Sequence, residues 1–318
     1  MTVLVTGGAG FIGSHFIDMH LERCPEDKIV CLDKLTYAGN MDNLSEAAKN
    51  PNFSFVKGDI CDRELLQRVF REFRPDIVVN FAAESHVDRS IASPHVFLET
   101  NYMGTAALLD ASLEFGVKRF HQISTDEVYG DLPLESSEKF TEETPLSPHS
   151  PYSASKAAAD MLVLAYHRTY GLNVTISRCS NNYGERQFPE KLIPLAMKKV
   201  VNGEKIPLYG DGLNIRDWIY VIDHCKAVEM ILENGRAGEI YNIGADNELS
   251  NLSLAEKLLE TLGKSAADIE FVPDRKGHDR RYAVSSEKLR RELSFKAETD
   301  FDKKLPEVVK WFEEKFTE

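Results

Sequence analysis

A glycine-rich turn between a short apolar strand and a helix constrains the fold of this chain more than any other segment. Residues 2–6 predict a buried strand, and residues 11–22 predict the helix that follows it. Between them, Gly7, Gly10 and Gly13 follow a G-x-x-G-x-x-G spacing. Because these glycines lack Cβ atoms, an anion can approach the main chain and the positive end of the helix. The segment therefore predicts a phosphate-binding turn at the edge of a sheet.

Asp33 lies 20 residues after Gly13, at the end of the second predicted strand. A carboxylate there accepts hydrogen bonds from a ribose diol and repels a 2′-phosphate, so we predict NAD rather than NADP as the cofactor. The alternative is that Asp33 only caps a helix or closes a turn. The predicted cofactor contacts are Gly7, Gly10, Phe11, Ile12, Gly13, Asp33, Lys34, Thr36, Asp59, Ile60, Phe81, Ala82, Ala83, Thr100, Tyr152, Lys156 and Asn182.

Strand and helix patterns alternate over the first 180 residues. Strands are predicted at 2–6, 28–33, 53–57, 76–81, 119–124 and 173–179, and helices at 11–22, 63–73, 95–115 and 151–170. Short apolar strands alternating with helices predict an α/β fold with a doubly wound, mostly parallel Rossmann sheet. We therefore assign residues 1–180 to a dinucleotide-binding domain.

After residue 180 the pattern becomes looser, with many loops and shorter helices. Helices are predicted at 190–201, 223–233, 253–262, 285–292 and 303–316. We interpret residues 181–318 as a smaller, mixed C-terminal lobe that binds the substrate. Segments near 210–245 are expected to cross back to the main sheet.

The charge and cysteine content exclude several classes of function. A net charge of −13 disfavours nucleic acid and anionic membranes as partners, although a local cluster of arginine and lysine could still bind a small anion. The five cysteines show no metal or redox spacing, so we predict free thiols and no metal site. No signal peptide and no membrane-spanning apolar run is recognised, and we expect a cytoplasmic protein.

Tyr152 and Lys156 form a Tyr-x-x-x-Lys pair at the start of a predicted helix. Side chains four residues apart lie on one helical face. A phenol with a pKa of about 10 is a poor base, but a nearby ammonium favours the phenolate. The pair is therefore predicted to deprotonate an alcohol during hydride transfer; an exposed helical face is the alternative.

Thr125, Asp126 and Glu127 follow the fifth predicted strand, at the edge where such sheets bind ligands. Alcohol oxidation alone needs no paired carboxyl groups. Elimination of water needs a base beside a carbonyl group and an acid for the departing hydroxyl. The two acids therefore indicate an elimination, unless they form only an acidic turn or a helix cap.

With these residues assigned, the chain resembles the dTDP-glucose 4,6-dehydratases among the extended short-chain dehydrogenases, over nearly its whole length. The distinguishing stretches are 82–90, 125–127, 178–184 and 277–282. The resemblance implies that Tyr152 takes the proton of the sugar 4-hydroxyl while hydride passes to NAD. Glu127 then removes the proton at carbon 5, and Asp126 protonates the departing 6-hydroxyl. Hydride returns to carbon 6, giving a 4-keto-6-deoxy sugar.

The resemblance also implies a site for a nucleotide-diphosphate sugar. Its predicted residues are Ser85, Thr125, Asn181, Lys191, Leu192, Pro207, Tyr209, Arg216, Asn251, Arg275 and His278. Arginine suits phosphate oxygens, although a lone arginine more often forms a surface ion pair. Trp218 is expected to pack in a core, and His86 to support the site rather than act as a base.

The family resemblance further implies a homodimer that pairs helices 95–115 and 151–170 in a four-helix bundle. Ordinary packing on the sheet is the alternative use of those helices. Two other functions stay open at this point. The first is a nucleotide-sugar epimerase or decarboxylase on the same scaffold, and the second is a non-catalytic NAD-binding sensor.

Overall fold

The computed structural model describes residues 1–317. The strands are β1 (Thr2–Thr6), β2 (Lys28–Asp33), β3 (Phe53–Lys57), β4 (Ile77–Asn80), β5 (Arg119–Thr125), β6 (Val174–Cys179), β7 (Asn181–Tyr183), β8 (Ile206–Tyr209), β9 (Ile215–Tyr220), β10 (Glu239–Ile243), β11 (Glu248–Ser250) and β12 (Ile269–Val272). The α-helices are α1 (Phe11–Arg23), α2 (Arg63–Phe73), α3 (Val87–Ala92), α4 (Pro94–Phe97), α5 (Thr105–Glu114), α6 (Pro151–Tyr170), α7 (Leu192–Val201), α8 (Val221–Asn234), α9 (Asn251–Thr261), α10 (Glu287–Leu293) and α11 (Phe301–Thr317).

Seven parallel strands form the central sheet, in the order β3-β2-β1-β4-β5-β6-β10. The chain winds outward from β1 to β3 and then crosses to β4 on the other side. The connections that leave the carboxyl ends of β1 and β4 therefore run in opposite directions. The crevice between them is the usual ligand site of such sheets. The predicted doubly wound sheet is confirmed.

Alternate residues of each central strand enter different cores. Val3 and Val5 pack with α1 and α8 on one face, whereas Leu4 packs with α2 and α5 on the other. Both faces are covered, which explains why these strands are apolar throughout rather than alternating.

The C-terminal half forms two small sheets and a third core. In one sheet β9 pairs in parallel with β7 and antiparallel with β11, and in the other β8 pairs with β12. Helices α7, α9 and α11 enclose Trp218 and Met197 in the third core. The intervening strand β10 returns to the central sheet and pairs with β6.

The helix expected at 95–115 is present, but its hydrogen-bonding pattern changes along its length. A π-helical segment, Leu98–Gly104, separates α4 from α5. Within it, the Asn101 amide donates to the Glu84 carbonyl and the Ser155 hydroxyl, and the Thr105 hydroxyl donates back to the Asn101 carbonyl. Such side-chain bonds compete with regular helical bonds, and wide turns often occur near functional sites. The helix predicted at 95–115 is therefore present, but its π-helical segment was not predicted.

All five cysteines are free thiols; Cys24 and Cys61 are partly exposed and the others are buried. Across residues 1–317, none of the helices has both the length and the apolar character needed to cross a membrane.

Candidate active site

A cavity of about 680 Å³ opens at the carboxyl edge of the central sheet. Every cofactor, catalytic and substrate residue predicted from the sequence lines it. One side is formed by the glycine turn and the ends of the first strands, and the opposite side by the C-terminal half. The residues predicted to be catalytic lie between these two sides.

The glycine turn packs closely against the neighbouring main chain. Gly7 has φ +68°, and a Cβ atom there would lie 2.6 Å from the Ala82 nitrogen. Gly10 is the N-cap of α1 and provides no side-chain cap for the first N–H groups. Free N–H groups at a helix start, reached without steric hindrance, form an anion site.

Asp33 is buried beside this turn. Its Oδ2 accepts from Ala9 N at 2.9 Å and its Oδ1 from Leu35 N at 2.7 Å. Burial raises the pKa of this carboxyl, and the two N–H donors oppose the rise. The neighbouring Lys34 is paired with Asp59 at 2.6 Å, which offsets part of the charge that a 2′-phosphate would meet.

Local structure fixes the side chains that were predicted to be catalytic. Thr125 ends β5, and its hydroxyl accepts from Glu127 N and donates to Asp126 Oδ1, both at 3.3 Å. Tyr152 lies in the first turn of α6, behind the reciprocal cap of Ser150 and Ser153. Strand end and helix start therefore hold Thr125, Asp126, Glu127 and Tyr152 at the same edge.

The charge state of Tyr152 differs from the expectation. Burial, followed by the charge of Glu127, raises its pKa well above 10, while the Thr125 hydroxyl opposes this. The Lys156 ammonium donates to the Ile123 carbonyl at 2.5 Å, and burial lowers the pKa of Lys156. The protein groups alone therefore keep the phenol protonated.

The two acids have different surroundings. Asp126 is only 2% exposed, and its Oδ2 has no hydrogen-bond partner. Burial and then the charge of Glu127 raise the pKa of Asp126 well above its usual value. Burial also raises the pKa of Glu127, but three cations oppose that rise: Lys191, Arg275 and Arg216. Both pKa values are raised, but Glu127 has more cations opposing the rise, which favours Asp126 as the acid and Glu127 as the base.

Cations from the C-terminal half line the opposite side. Lys191 donates to the Ser85 carbonyl at 2.9 Å. Arg216 donates to the carbonyls of Asp279 and Ile215, and its guanidinium lies 4.1 Å from the Tyr282 ring centroid. These cations can bind a diphosphate.

Two more of the predicted substrate residues, Arg275 and His278, also line this side of the cavity. Arg275 has a buried Nε without a hydrogen-bond partner. His278 is bonded to Asp274 at 2.6 Å. Burial and the charge of Arg275 lower the pKa of His278 despite that carboxylate, which favours a neutral imidazole.

Several lining residues were missed by the sequence reasoning: Gln187, Phe188, Glu190 and Tyr282. Tyr282 lies within the recognised 277–282 stretch, but the others follow β7 in a loop without a local signal. Trp218 packs in the third core as expected, yet it also lines the cavity. His86 caps α3 by accepting from Arg89 N, a supporting role.

A parallel sheet with a glycine turn and a Tyr-x-x-x-Lys helix at one cavity defines an extended short-chain dehydrogenase. The model of the family described as GDP-mannose 4,6 dehydratase matches residues 4–308. A dTDP-glucose 4,6-dehydratase from Actinoplanes is 50% identical over 98% of both chains. The chain therefore belongs to the dTDP-glucose 4,6-dehydratase family.

Solved structures agree with this assignment. A dTDP-glucose 4,6-dehydratase from Streptomyces venezuelae, with NAD and dTDP bound, is 50% identical, with TM-score 0.95 over 99% of this chain and 97% of that one. The UDP-glucose 4-epimerase of Thermotoga maritima is 31% identical, with TM-score 0.91 over 99% of both chains. The scaffold alone thus does not separate dehydratases from epimerases.

Proposed function

We propose that the protein is an NAD-dependent lyase that converts dTDP-glucose to its 4-keto-6-deoxy product. The observation that carries this proposal is the unequal pair of acids beside Tyr152. Asp126 has few cations near it and favours the neutral acid, whereas Glu127 faces three cations and favours the base. An epimerase needs neither group, because it removes no water.

The cofactor side fits NAD. A Cβ at Gly7 would clash with the main chain of Ala82, so glycine is needed for the turn to pack there, and the Asp33 carboxylate retains lone pairs for a ribose diol beyond its two N–H partners. When bound, NAD supplies the hydride acceptor and a positive ring that favours the Tyr152 phenolate. Asp59 pairs with Lys34 and offsets part of its charge, which supports NAD over NADP.

The chain's own groups then perform the proton transfers. Tyr152 Oη accepts the proton of the sugar 4-hydroxyl, and Thr125 holds that oxygen. The new 4-ketone acidifies the proton on carbon 5, which Glu127 removes. Asp126 gives its proton to the 6-hydroxyl, and the C6–O bond breaks to release water. Hydride return to carbon 6 and reprotonation of carbon 5 complete the reaction, so the net change is the loss of one water.

The substrate side supplies the binding groups for the diphosphate. Arg216, Arg275 and Lys191 offer guanidinium and ammonium donors to its oxygens. The remaining predicted contacts surround the nucleotide and sugar: Ser85, Asn181, Leu192, Pro207, Tyr209, Asn251 and His278. This local positive charge lies in a chain whose net charge is −13.

The proposal is tested with a panel of dTDP-, GDP- and UDP-hexoses, analysed by mass spectrometry without added NAD. We expect dTDP-glucose to lose one water. A product of unchanged mass would indicate an epimerase, and loss of water from GDP-mannose alone would change the assigned nucleotide. Binding of NAD without turnover of any sugar would favour a sensor.

Glu127→Gln tests the role of the base directly. We expect turnover to fall about 10²–10⁴-fold and reduced cofactor to accumulate, because oxidation proceeds but carbon 5 keeps its proton. Absorbance of NADH measures this. Glu135→Gln, an exposed acid in the next loop, is the matched control. Normal turnover in Glu127→Gln would remove this residue from the mechanism.

We also propose that the protein is a cytoplasmic homodimer. Apolar side chains on the proposed helices are exposed in the single chain, including Leu98, Met103, Leu113 and Met161. Their burial against a second copy would stabilise a four-helix bundle. Free thiols are consistent with a reducing compartment. Sedimentation of Met161→Glu beside the parent protein tests the dimer: the variant should be monomeric.

A further inference from the structure

A second group of chemically reactive side chains lies at the opposite edge of the central sheet. His20, Cys24 and Asp27 occupy the end of α1 and the turn into β2. Their ligand atoms all lie within 4.8 Å of one another. Cys24 N donates to the His20 carbonyl at 2.7 Å, and Asp27 N donates to the Cys24 carbonyl at 3.0 Å. The main chain therefore holds the three side chains together, and the proposed reaction uses none of them.

The imidazole of His20 is oriented for a ligand. Its side chain is only 4% exposed, and Nδ1 lies 2.6 Å from Glu229 Oε1. Nε2 has no hydrogen-bond partner and faces Asp27 Oδ2 at 3.4 Å. When Glu229 accepts the Nδ1 proton, Nε2 carries a lone pair that faces Asp27, and the Cys24 sulfur lies within 4.8 Å of it. A carboxylate behind a histidine is the usual outer support of a metal-binding imidazole.

We propose that His20 Nε2, the Cys24 thiolate and the Asp27 carboxylate bind one transition-metal cation of the Zn²⁺ type. Glu229 positions the histidine, and water completes the coordination. One nitrogen, one sulfur and one carboxylate oxygen are donors that suit Zn²⁺ in a four-coordinate site. Binding displaces the thiol proton of Cys24, and the thiolate and Asp27 together balance the two positive charges.

Carboxylates lie on both sides of the His20 imidazole. Glu229 Oε1 lies 2.6 Å from Nδ1, and Asp27 Oδ2 lies 3.4 Å from Nε2. The Met1 amino group pairs with Asp27 through the other oxygen, Oδ1, at 2.5 Å, and Arg23 lies 3.8 Å from Glu229 Oε2. The Asp27 oxygen that faces the imidazole is therefore the one that can bind a metal.

The site would stabilise the fold rather than join the reaction. It links the end of α1, the start of β2 and, through Glu229, helix α8. Helix α1 has 13 residues, so the cluster lies about 20 Å from the glycine turn at the helix start. Turnover should therefore be the same with and without the metal.

Cobalt is the probe, because a thiolate bound to Co²⁺ absorbs in the near ultraviolet. The full-length protein is reduced, stripped with a chelator and titrated with Co²⁺, and Zn²⁺ affinity is measured against a chromophoric chelator. We expect one Co²⁺ per chain with the thiolate band, displaced by Zn²⁺. Cys24→Ser should lose the band, and Glu229→Gln should weaken Zn²⁺ binding about 10–100-fold. Cys61→Ser, the other partly exposed cysteine, is the control and should keep both.

Two results would overturn the proposal. One is the absence of a thiolate band in the parent protein at saturating Co²⁺. The other is an unchanged band in Cys24→Ser, which would place the metal on another cysteine. Melting temperatures show whether each variant is folded. Zn²⁺ should raise the melting temperature of the parent and of Cys61→Ser, but not that of Cys24→Ser. Without metal, Cys24→Ser should melt at the same temperature as the parent.

Discussion

The two sides of the cavity, which we propose bind cofactor and substrate, are built in different ways. The cofactor side is built from main chain, where Gly7 lies against Ala82 and Asp33 is bonded to two N–H groups. The substrate side is built from long cationic side chains, and Lys191 and Arg216 are hydrogen-bonded to carbonyl groups. Binding at a rigid main-chain site depends on the volume of the residues that form it, whereas binding at a cationic site depends on their charge. Small changes of shape should therefore damage the first, and changes of charge the second.

The largest effect is expected on the cofactor side, from Gly7→Ala. An L-residue at φ +68° is strained, and its Cβ would lie 2.6 Å from Ala82 N. Strain and clash together should reduce the free energy of unfolding by about 2–5 kcal/mol and abolish NAD binding. Denaturant unfolding and cofactor titration measure both.

Gly116→Ala is the matched control for this change. Gly116 has φ +69°, but no atom lies within 4 Å of the Cβ position. It should lose only the strain, about 1–2 kcal/mol, and keep NAD binding. Equal losses in the two variants would show that the glycine turn is not constrained by its neighbour.

On the substrate side, Arg216→Met should raise the KM for the nucleotide sugar about 10–100-fold, the value of a charge-assisted hydrogen bond. NAD affinity should stay unchanged, because Arg216 lies on the opposite side. Arg280→Met is the control, since Arg280 is paired with Asp211 at 2.9 Å and does not line the cavity. A parallel loss of NAD affinity would mean that the two sides are not separate.

The same difference explains what could be predicted from the sequence. The cofactor side follows local rules: the bounds of β1, β2, β3 and α6 were predicted correctly, because short apolar runs and a Pro-containing cap fix them. Residues 1–180 carry these regular signals. The small strands β7–β12 were not predicted, because three to six residues of mixed polarity give no distinct period.

Two details of the site depend on tertiary contacts and could not be predicted locally. The π-helical segment around Asn101 depends on Glu84 and Ser155, which are distant in sequence. The raised pKa of Tyr152 depends on burial and on Glu127, whereas spacing alone suggested that Lys156 would lower it. The substrate residues were found only through the family resemblance, since their positions range from Ser85 to His278.

Asp33→Asn is expected to have a smaller effect. The neutral amide repels a 2′-phosphate less and binds a ribose diol more weakly, so the preference for NAD over NADP should fall about tenfold, or about 1.4 kcal/mol. The ratio of the two dissociation constants measures it. Asp59→Asn, which removes the charge paired with Lys34 and leaves Asp33 intact, should change the ratio less. A larger change of the ratio in Asp59→Asn than in Asp33→Asn would mean that Lys34, rather than Asp33, determines the preference for NAD.

The smallest effect concerns Asp126, which lies where the two sides meet. Its folded pKa is raised, so the folded chain holds a proton that the unfolded chain loses above its pKa of about 3.9. This residue therefore reduces stability as the pH rises above that value. Asp126→Asn should stabilise the inactive protein by about 1 kcal/mol at pH 8 and less at pH 5.

Thermal unfolding at the two pH values tests this sign, and Asp211→Asn gives the opposite case. The Arg280 guanidinium lowers the pKa of Asp211 to about 2, so its stabilisation is present at neutral pH and is lost as the pH falls towards that value. Asp211→Asn should therefore lower the melting temperature at pH 8 rather than raise it. If both variants lost stability at pH 8, Asp126 would be held as a paired carboxylate, and its role as the proton donor would fail.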